Sequence, residues 1–216
     1  TRAKIGVVFE DAFFYGSFNA AQVARSLAGM YGAQWNADSF SAYLRRFGLD
    51  AGKKLKDKTM NEIFTNIQMQ LKEELDEKRY EHTIGVMYTA ASLAMRYGVM
   101  MHQAILAGLL HDCAKAIPND EKLELCKKYG IIVSDVEREN PSLLHAKLGA
   151  YIAREKYGVM DDEVLHAIYV HTTGEPGMST LDKILFIADY IEPNRDSQPN
   201  LEYVRKIAFW DLNQAM

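Results

Sequence analysis

An all-α body is the fold class this sequence predicts, and three observations predict it. Apolar residues recur at helical spacing along almost all of the chain beyond residue 58. Prolines number only five in 216 residues, and they fall between the periodic stretches rather than inside them. Glycines such as Gly98, Gly130 and Gly158 stand just past the last periodic residue of a stretch, where a helix takes its C-cap.

The elements follow in chain order. Residues 4–9 read as a short strand, and 19–31 and 38–47 as short helices closed before Gly32 and Gly48. The charged stretch 52–58 reads as a linker. Residues 1–58 therefore form an N-terminal segment, a small helical appendage or partner-binding piece with no visible chemistry. Residues 59–216 form the second domain. There, helices are expected at 61–78, 79–97 and 102–116, the last stopped before Pro118. Asn119 is expected to cap a helix at 120–129. Pro141 suits the first turn of a helix running 142–157. Helices at 161–170 and, capped by Ser179 or Thr180, at 180–191 follow, separated by the loop 172–177. A last helix starts near Leu201 and still reads helical at Met216, as though cut short.

Composition narrows the function. Apolar residues make up 48%, charged residues 25%, and the net charge is −4. That is an ordinary globular composition without the basic surface a nucleic-acid polymer requires. No apolar run reaches membrane-spanning length, and no secretory signal pattern is present. Cys113 and Cys126 lie in helical patterns and read as reduced core residues rather than a disulfide framework. A cytoplasmic protein with a small-molecule substrate is expected.

The chemistry concentrates at His111-Asp112. A neutral imidazole nitrogen beside a hard carboxylate oxygen suits a divalent transition metal with open positions. Further candidate ligands are His82 upstream and His145, His171 and Asp189 downstream. His82 shares a face with Val86, Ala90 and Leu93, which points it into the core; taken alone, it reads more readily as a hydrogen-bonded core histidine than as a ligand. His111 shares a face with Ala104, Ala107 and Gly108, small residues that let a second helix come close. Asp112 and Asp189 are harder to explain as packing, because a buried carboxylate costs several kcal/mol unless paired or metal-bound. Asp189 sits in an almost wholly apolar run with no Lys or Arg one turn away. Asp182 reads either as a functional residue or as the partner of Ser179 in a cap. His166 lies roughly 140° around its helix from His171 and is assigned to surface or packing. His102 is expected to be exposed. Lys115 either complements a helix C-terminus or stabilises charge on a phosphoryl group. Arg195 is either a solvent-facing loop residue or a bidentate phosphate ligand.

The ordered series of His82, His111-Asp112, His145, His171 and Asp189 resembles the HD-domain superfamily of metal-dependent phosphohydrolases. Between Arg79 and Arg195 it is similar to the YqeK family of bacterial proteins. The matching stretches are 79–83, 107–115, 171–174, 181–184 and 188–195. The resemblance implies an HD-type helical bundle with a metal site between helices. It implies His82, His111, Asp112 and Asp189 as ligands of a first metal, and His145 and His171 as ligands completing a second, with Asp112 bridging. It also implies iron, one or two ions, although mixed histidine and carboxylate ligation also accepts Mn, Co or Zn. The activity implied is symmetrical cleavage of diadenosine tetraphosphate into two ADP, with a homodimer as a family-level expectation. In that reading Asp112 and Lys115 act in catalysis, and Lys115, Thr172, Thr173, Gly174, Asp182 and Arg195 hold the phosphates. Three alternatives stay open. One is hydrolysis of a deoxynucleoside di- or triphosphate or a guanosine alarmone. The others are a di-iron oxygenase and a non-catalytic nucleotide sensor.

Overall fold

The computed structural model describes residues 60–196 and 198–216. The chain divides between Thr59 and Met60 into two units, and the described elements belong to the second. The strand expected at 4–9, the helices at 19–31 and 38–47 and the linker at 52–58 lie outside the described residues. Among the described residues there is no strand. Helices run α1 Met60–Glu74, α2 Glu77–Tyr97, α3 Met101–Leu110, α4 Asn119–Tyr129 and α5 Asp135–Glu139. A 3₁₀ turn at Pro141–Leu144 leads into α6 His145–Glu155, followed by α7 Asp162–Val170, α8 Thr180–Ile191, α9 Leu201–Ile207 and α10 Leu212–Ala215. None of these helices is long and apolar enough to cross a membrane.

Helices α2, α3 and α8 pack on one another, α7 packs on α3 and α8, and α6 lies along α7. Their inward stripes are the ones the periodicity marks. Val86, Ala90 and Leu93 of α2, Ala104 and Ala107 of α3, Ala167 and Ile168 of α7 and Ile184 and Leu185 of α8 are fully buried. Each large aliphatic among them contributes roughly 1.5–3 kcal/mol relative to an exposed side chain. The small-residue face of α3 does what its sequence implies: a Cβ on Gly108 would lie 2.7 Å from the Met87 Cα. The α2 and α3 backbones therefore nearly touch one turn before His111, which brings the His82 and His111 helices within side-chain reach.

Several boundaries differ from expectation, each for a local reason. The break between the first two helices falls at residues 75–76, because the Asp76 carboxylate accepts from the Arg79 amide at 2.9 Å and caps α2. The third helix stops at Leu110 rather than running to residue 116. The chain tightens there into i→i−3 bonds, Cys113 N to Leu110 O at 3.2 Å and Lys115 N to Asp112 O at 2.9 Å. Asn119 lies inside α4, whose cap position is Pro118. Helix α5 was not anticipated; Ser134 and Glu137 build a capping box for it. The C-terminal stretch is two short helices rather than one, since Asp211 caps α10.

Candidate metal centre

Each candidate ligand sits where an element ends or faces the packed interior. His82 lies in the second turn of α2, on its buried face, and Asp189 lies on α8. His111 is the residue after α3, His171 the residue after α7, and His145 the residue after the 3₁₀ turn. All six side chains converge. His82 Nε2 is 3.1 Å from Asp189 Oδ1 and 3.4 Å from His111 Nε2. Asp112 Oδ2 is 3.6 Å from His111 Nε2 and 3.9 Å from His82 Nε2. The other oxygen of the same carboxylate faces a second set. Asp112 Oδ1 is 3.2 Å from His145 Nε2 and 3.8 Å from His171 Nε2, and those two nitrogens are 3.2 Å apart. Ligands held about 2.0–2.2 Å from one ion lie roughly 2.8–3.6 Å apart for cis or tetrahedral pairs, so both sets have near-ligand spacing.

The protonation pattern makes the centre a sink for cations. The Nδ1–H groups of His111, His145 and His171 donate to the carbonyls of Gly108, Ser142 and Ile168 at 2.7, 2.6 and 2.7 Å. A carbonyl only accepts, so each ring carries its proton on Nδ1 and turns the Nε2 lone pair inward. Burial, helped by neighbouring His171 and His82 against the pull of Asp112 and Asp189, lowers His111 to about 4. Burial also lowers His145. Burial works to raise Asp112, but its histidine neighbours, His111 first, hold it well below the usual carboxylate range. Burial is likewise outweighed at Asp189 by His82 and His111. Lone pairs and ionised carboxylates thus face each other in a buried space. Shared protons can relieve this only pair by pair, whereas a divalent ion satisfies the whole set at once. The residues present therefore fit a metal.

Cations ring the centre. Arg79 Nη1 donates to Asp112 Oδ2 at 2.7 Å, and Arg195 Nη2 to Asp189 Oδ1 at 2.6 Å. Lys115 Nζ is 3.2 Å from His145 Nε2. Thr172 Oγ1 lies 3.2 Å from the Nε2 atoms of both His145 and His171. Gly174 turns the loop with φ 63°, while Thr173 is exposed beside it.

Not every expected site residue faces the centre. Asp182, expected among the substrate contacts, is buried and committed elsewhere. Its Oδ2 accepts from the Ser179 amide at 2.7 Å and lies 3.1 Å from His166 Nδ1. His166 stands apart from the centre, with its Nε2 3.0 Å from Glu175 Oε1. Arg195, expected to grip phosphate, spends part of its fork on Asp189. His102 is half-buried rather than exposed. Both cysteines are free, and burial pushes the Cys113 thiol up to about 12. Sequence reasoning missed two residues. Arg79 sits three residues before His82, where a basic residue one turn from a candidate ligand was a usable signal. Glu192, 3.1 Å from His82 Nδ1, gave none beyond being an acid at the end of an apolar helix.

Fold and centre together define a class, a helical domain that gathers imidazoles and carboxylates from separate helices into groups that could hold a divalent metal. A sequence profile of the HD domain matches residues 79–194, and the chain belongs to the HD-domain family, which implies divalent metal binding. It is 44% identical over 146 residues to the symmetrical bis(5'-nucleosyl)-tetraphosphatase of Bacillus subtilis, covering 68% of this chain and 77% of that one. Over the same length and shares it is 48% identical to the protein of that name from Halalkalibacterium halodurans. A crystal structure of a predicted HD superfamily hydrolase involved in NAD metabolism from Clostridium acetobutylicum matches with TM-score 0.68 at 44% identity, covering 70% of this chain and 80% of that one.

Proposed function

We propose that this chain is a metal-dependent phosphoanhydride hydrolase that cleaves diadenosine tetraphosphate symmetrically into two ADP. The observation that carries the reading is the Asp112 carboxylate, which offers one oxygen to the His82, His111 and Asp189 set and the other to the His145 and His171 set. In this reading His82, His111, Asp112 and Asp189 would hold one ion, Asp112, His145 and His171 would hold another, and the metal would be iron. A divalent metal in such a site supplies Lewis acidity toward phosphoryl oxygens and acidifies water to near neutral pH.

The chain's own groups do the remainder. Arg79 and Arg195 fix the ligand carboxylates through charge-assisted bonds. The three helix-end imidazoles are locked by their carbonyl acceptors, so their lone pairs need no reorganisation. Lys115, aimed at the second set, stabilises charge on the non-bridging phosphoryl oxygens. Thr172, Thr173 and the Gly174 turn line the approach for the remaining phosphates, and the free donors of Arg195 are available to them. Water adds to the attacked phosphorus, the bridging P–O bond breaks, and ADP leaves as a stable anion that needs no strong general acid. A cytoplasmic location goes with this reading, because nucleotide substrates and reduced thiols both belong there.

The test is a panel assay on protein purified without oxygen, with metal content measured in parallel. Diadenosine tetraphosphate, NAD, deoxynucleoside triphosphates and a guanosine alarmone are each incubated and the products resolved by chromatography. ADP as the sole product from diadenosine tetraphosphate is the expected result. Equal release of AMP and ATP, or turnover only of another nucleotide, would defeat the proposal. Lys115→Ala should lower kcat by about 100-fold, the scale of losing one donor to developing charge.

A further inference from the structure

The centre contains one histidine that is held differently from the rest. His111, His145 and His171 each occupy the end of a helical segment, and each donates Nδ1–H to the carbonyl three residues earlier. The last carbonyls of a helix have no partner within it, so these rings find an acceptor in their own element. His82 lies inside the continuous α2, where the carbonyls are engaged by the helix ladder. It has no local acceptor and must take one from elsewhere. It takes Glu192, 110 residues away, with Nδ1 3.1 Å from Oε1.

We propose that Glu192 is the positioning residue for His82, and that Gly85 is bare in order to admit it. Glu192 is 1% exposed, and no Lys or Arg side chain among the described residues reaches its carboxylate. Its Oε2 accepts from the Asn194 amide at 2.8 Å, which fixes the carboxylate's rotation. Arg205 binds the backbone instead, donating to the carbonyls of Ile191 at 3.1 Å and Glu192 at 2.9 Å. The charge of Glu192 is therefore directed at His82. It fixes the ring's tautomer, aims Nε2 at Asp189 and His111, and makes that nitrogen a stronger donor to a cation. Gly85, one turn beyond His82, is the second half of the arrangement. A Cβ built there would overlap the Glu192 carboxylate, so a side chain at 85 and this carboxylate position exclude each other. The inference rests on the metal-centre reading, and it extends to the one ligand whose orientation the helix ends do not supply.

The experiment is calorimetric titration of Mn²⁺ into the chelator-treated full chain, for the unaltered protein and for Glu192→Ala, Glu192→Gln and Gly85→Ala. Expected is a rise in Kd of about 10–100-fold for Glu192→Ala and Gly85→Ala, the usual effect of losing an outer partner of a ligating histidine. Glu192→Gln keeps an acceptor for Nδ1–H but loses the charge, so its Kd should fall between. At saturating Mn²⁺, kcat should return toward the unaltered value with KM unmoved. A Kd in Glu192→Ala within about threefold of the unaltered protein would overturn the proposal, since outer-partner losses exceed that. So would a lower melting temperature of the metal-free chain with unchanged Kd, which marks a purely structural residue. Should Glu192→Ala fail to fold, Gly85→Ala decides by the same criterion. The Kd readout, which decides the proposal, needs no substrate. Expected shifts in Kd without tetraphosphate cleavage would sink the proposed reaction and leave Glu192's role standing. Absence of Mn²⁺ uptake by the unaltered chain would remove both the metal centre and this role.

Discussion

Asp112 is the residue on which the two halves of the centre depend, because its oxygens separately face the His82/His111 and His145/His171 sets. Asp112→Ala should therefore lose metal from both sets and lose turnover by more than the roughly 10–100-fold typical of outer-partner changes. His145→Ala should lose only the second equivalent. Metal analysis of the two purified variants checks this, and an unchanged metal content in Asp112→Ala would refute the bridging role. A second residue-scale prediction concerns His166, outside the centre. Burial lowers it, but the Asp182 hydrogen bond and the Asp182 and Glu175 charges outweigh that, so its pKa is raised. A raised folded pKa stabilises fully below the unfolded value near 6.5, and that stabilisation is lost as pH rises through the folded value. His166→Gln should thus be less stable than the parent at pH 5.5, by about 0.5 kcal/mol given solvent screening, with the gap closing above pH 8. Denaturant melts at both pH values measure it, and a gap that widened with pH would contradict the sign. The ligand types were legible in the sequence because imidazoles and carboxylates on apolar faces are anomalous in themselves. Glu192 was not, since its partner lies 110 residues away and nothing local marks it as unusual; Arg79 carried only its place one turn before His82, and its partner Asp112 lies 33 residues on.

Helices supply the geometry that single residues cannot. The α2–α3 contact at Gly108 sets the separation between the His82 and His111 rings, and the backbone of Met87 leaves no room for a methyl group there. Gly108→Ala should push the two helices apart, costing about 1–3 kcal/mol as overpacking does. It should also weaken Mn²⁺ binding, because His111 lies one turn further on. Thermal melts and metal titration together test this; an unchanged melting temperature would mean that the close approach constrains nothing. Long helices such as α2 and α8 could be read from periodicity because each has enough turns to show a face. Helix α5, with five residues, shows no face, and only its capping pair Ser134 and Glu137 betrays it. The tightening after Leu110 was invisible for a different reason. Apolar spacing is nearly the same for i→i−3 and i→i−4 bonding over one turn, so the pattern continues through the place where the helix ends.

At the scale of the whole unit, the centre ties together segments that otherwise meet only through the apolar core. Its candidate ligands come from α2, the turn after α3, the start of α6, the end of α7 and α8, so an ion held by all of them would cross-link most of the bundle. Without a cation, the same groups set lone pairs and carboxylates against each other in a space where charge is poorly screened. The metal-free fold must therefore bear a penalty that metal removes. Binding to the folded state alone adds about 2.7 kcal/mol when the free ion is a hundred times its Kd. For a domain of this size each kcal/mol moves the melting temperature by roughly 2–4 °C. Chelation should accordingly lower the melting temperature by about 5–10 °C, and Mn²⁺ should restore it, with a smaller shift in His145→Ala, where one set is left. Calorimetric scans with and without chelator make the comparison. An identical melting temperature in both would mean that the acceptors are reconciled by shared protons instead, and the centre would then be a hydrogen-bonded core rather than a place for an ion.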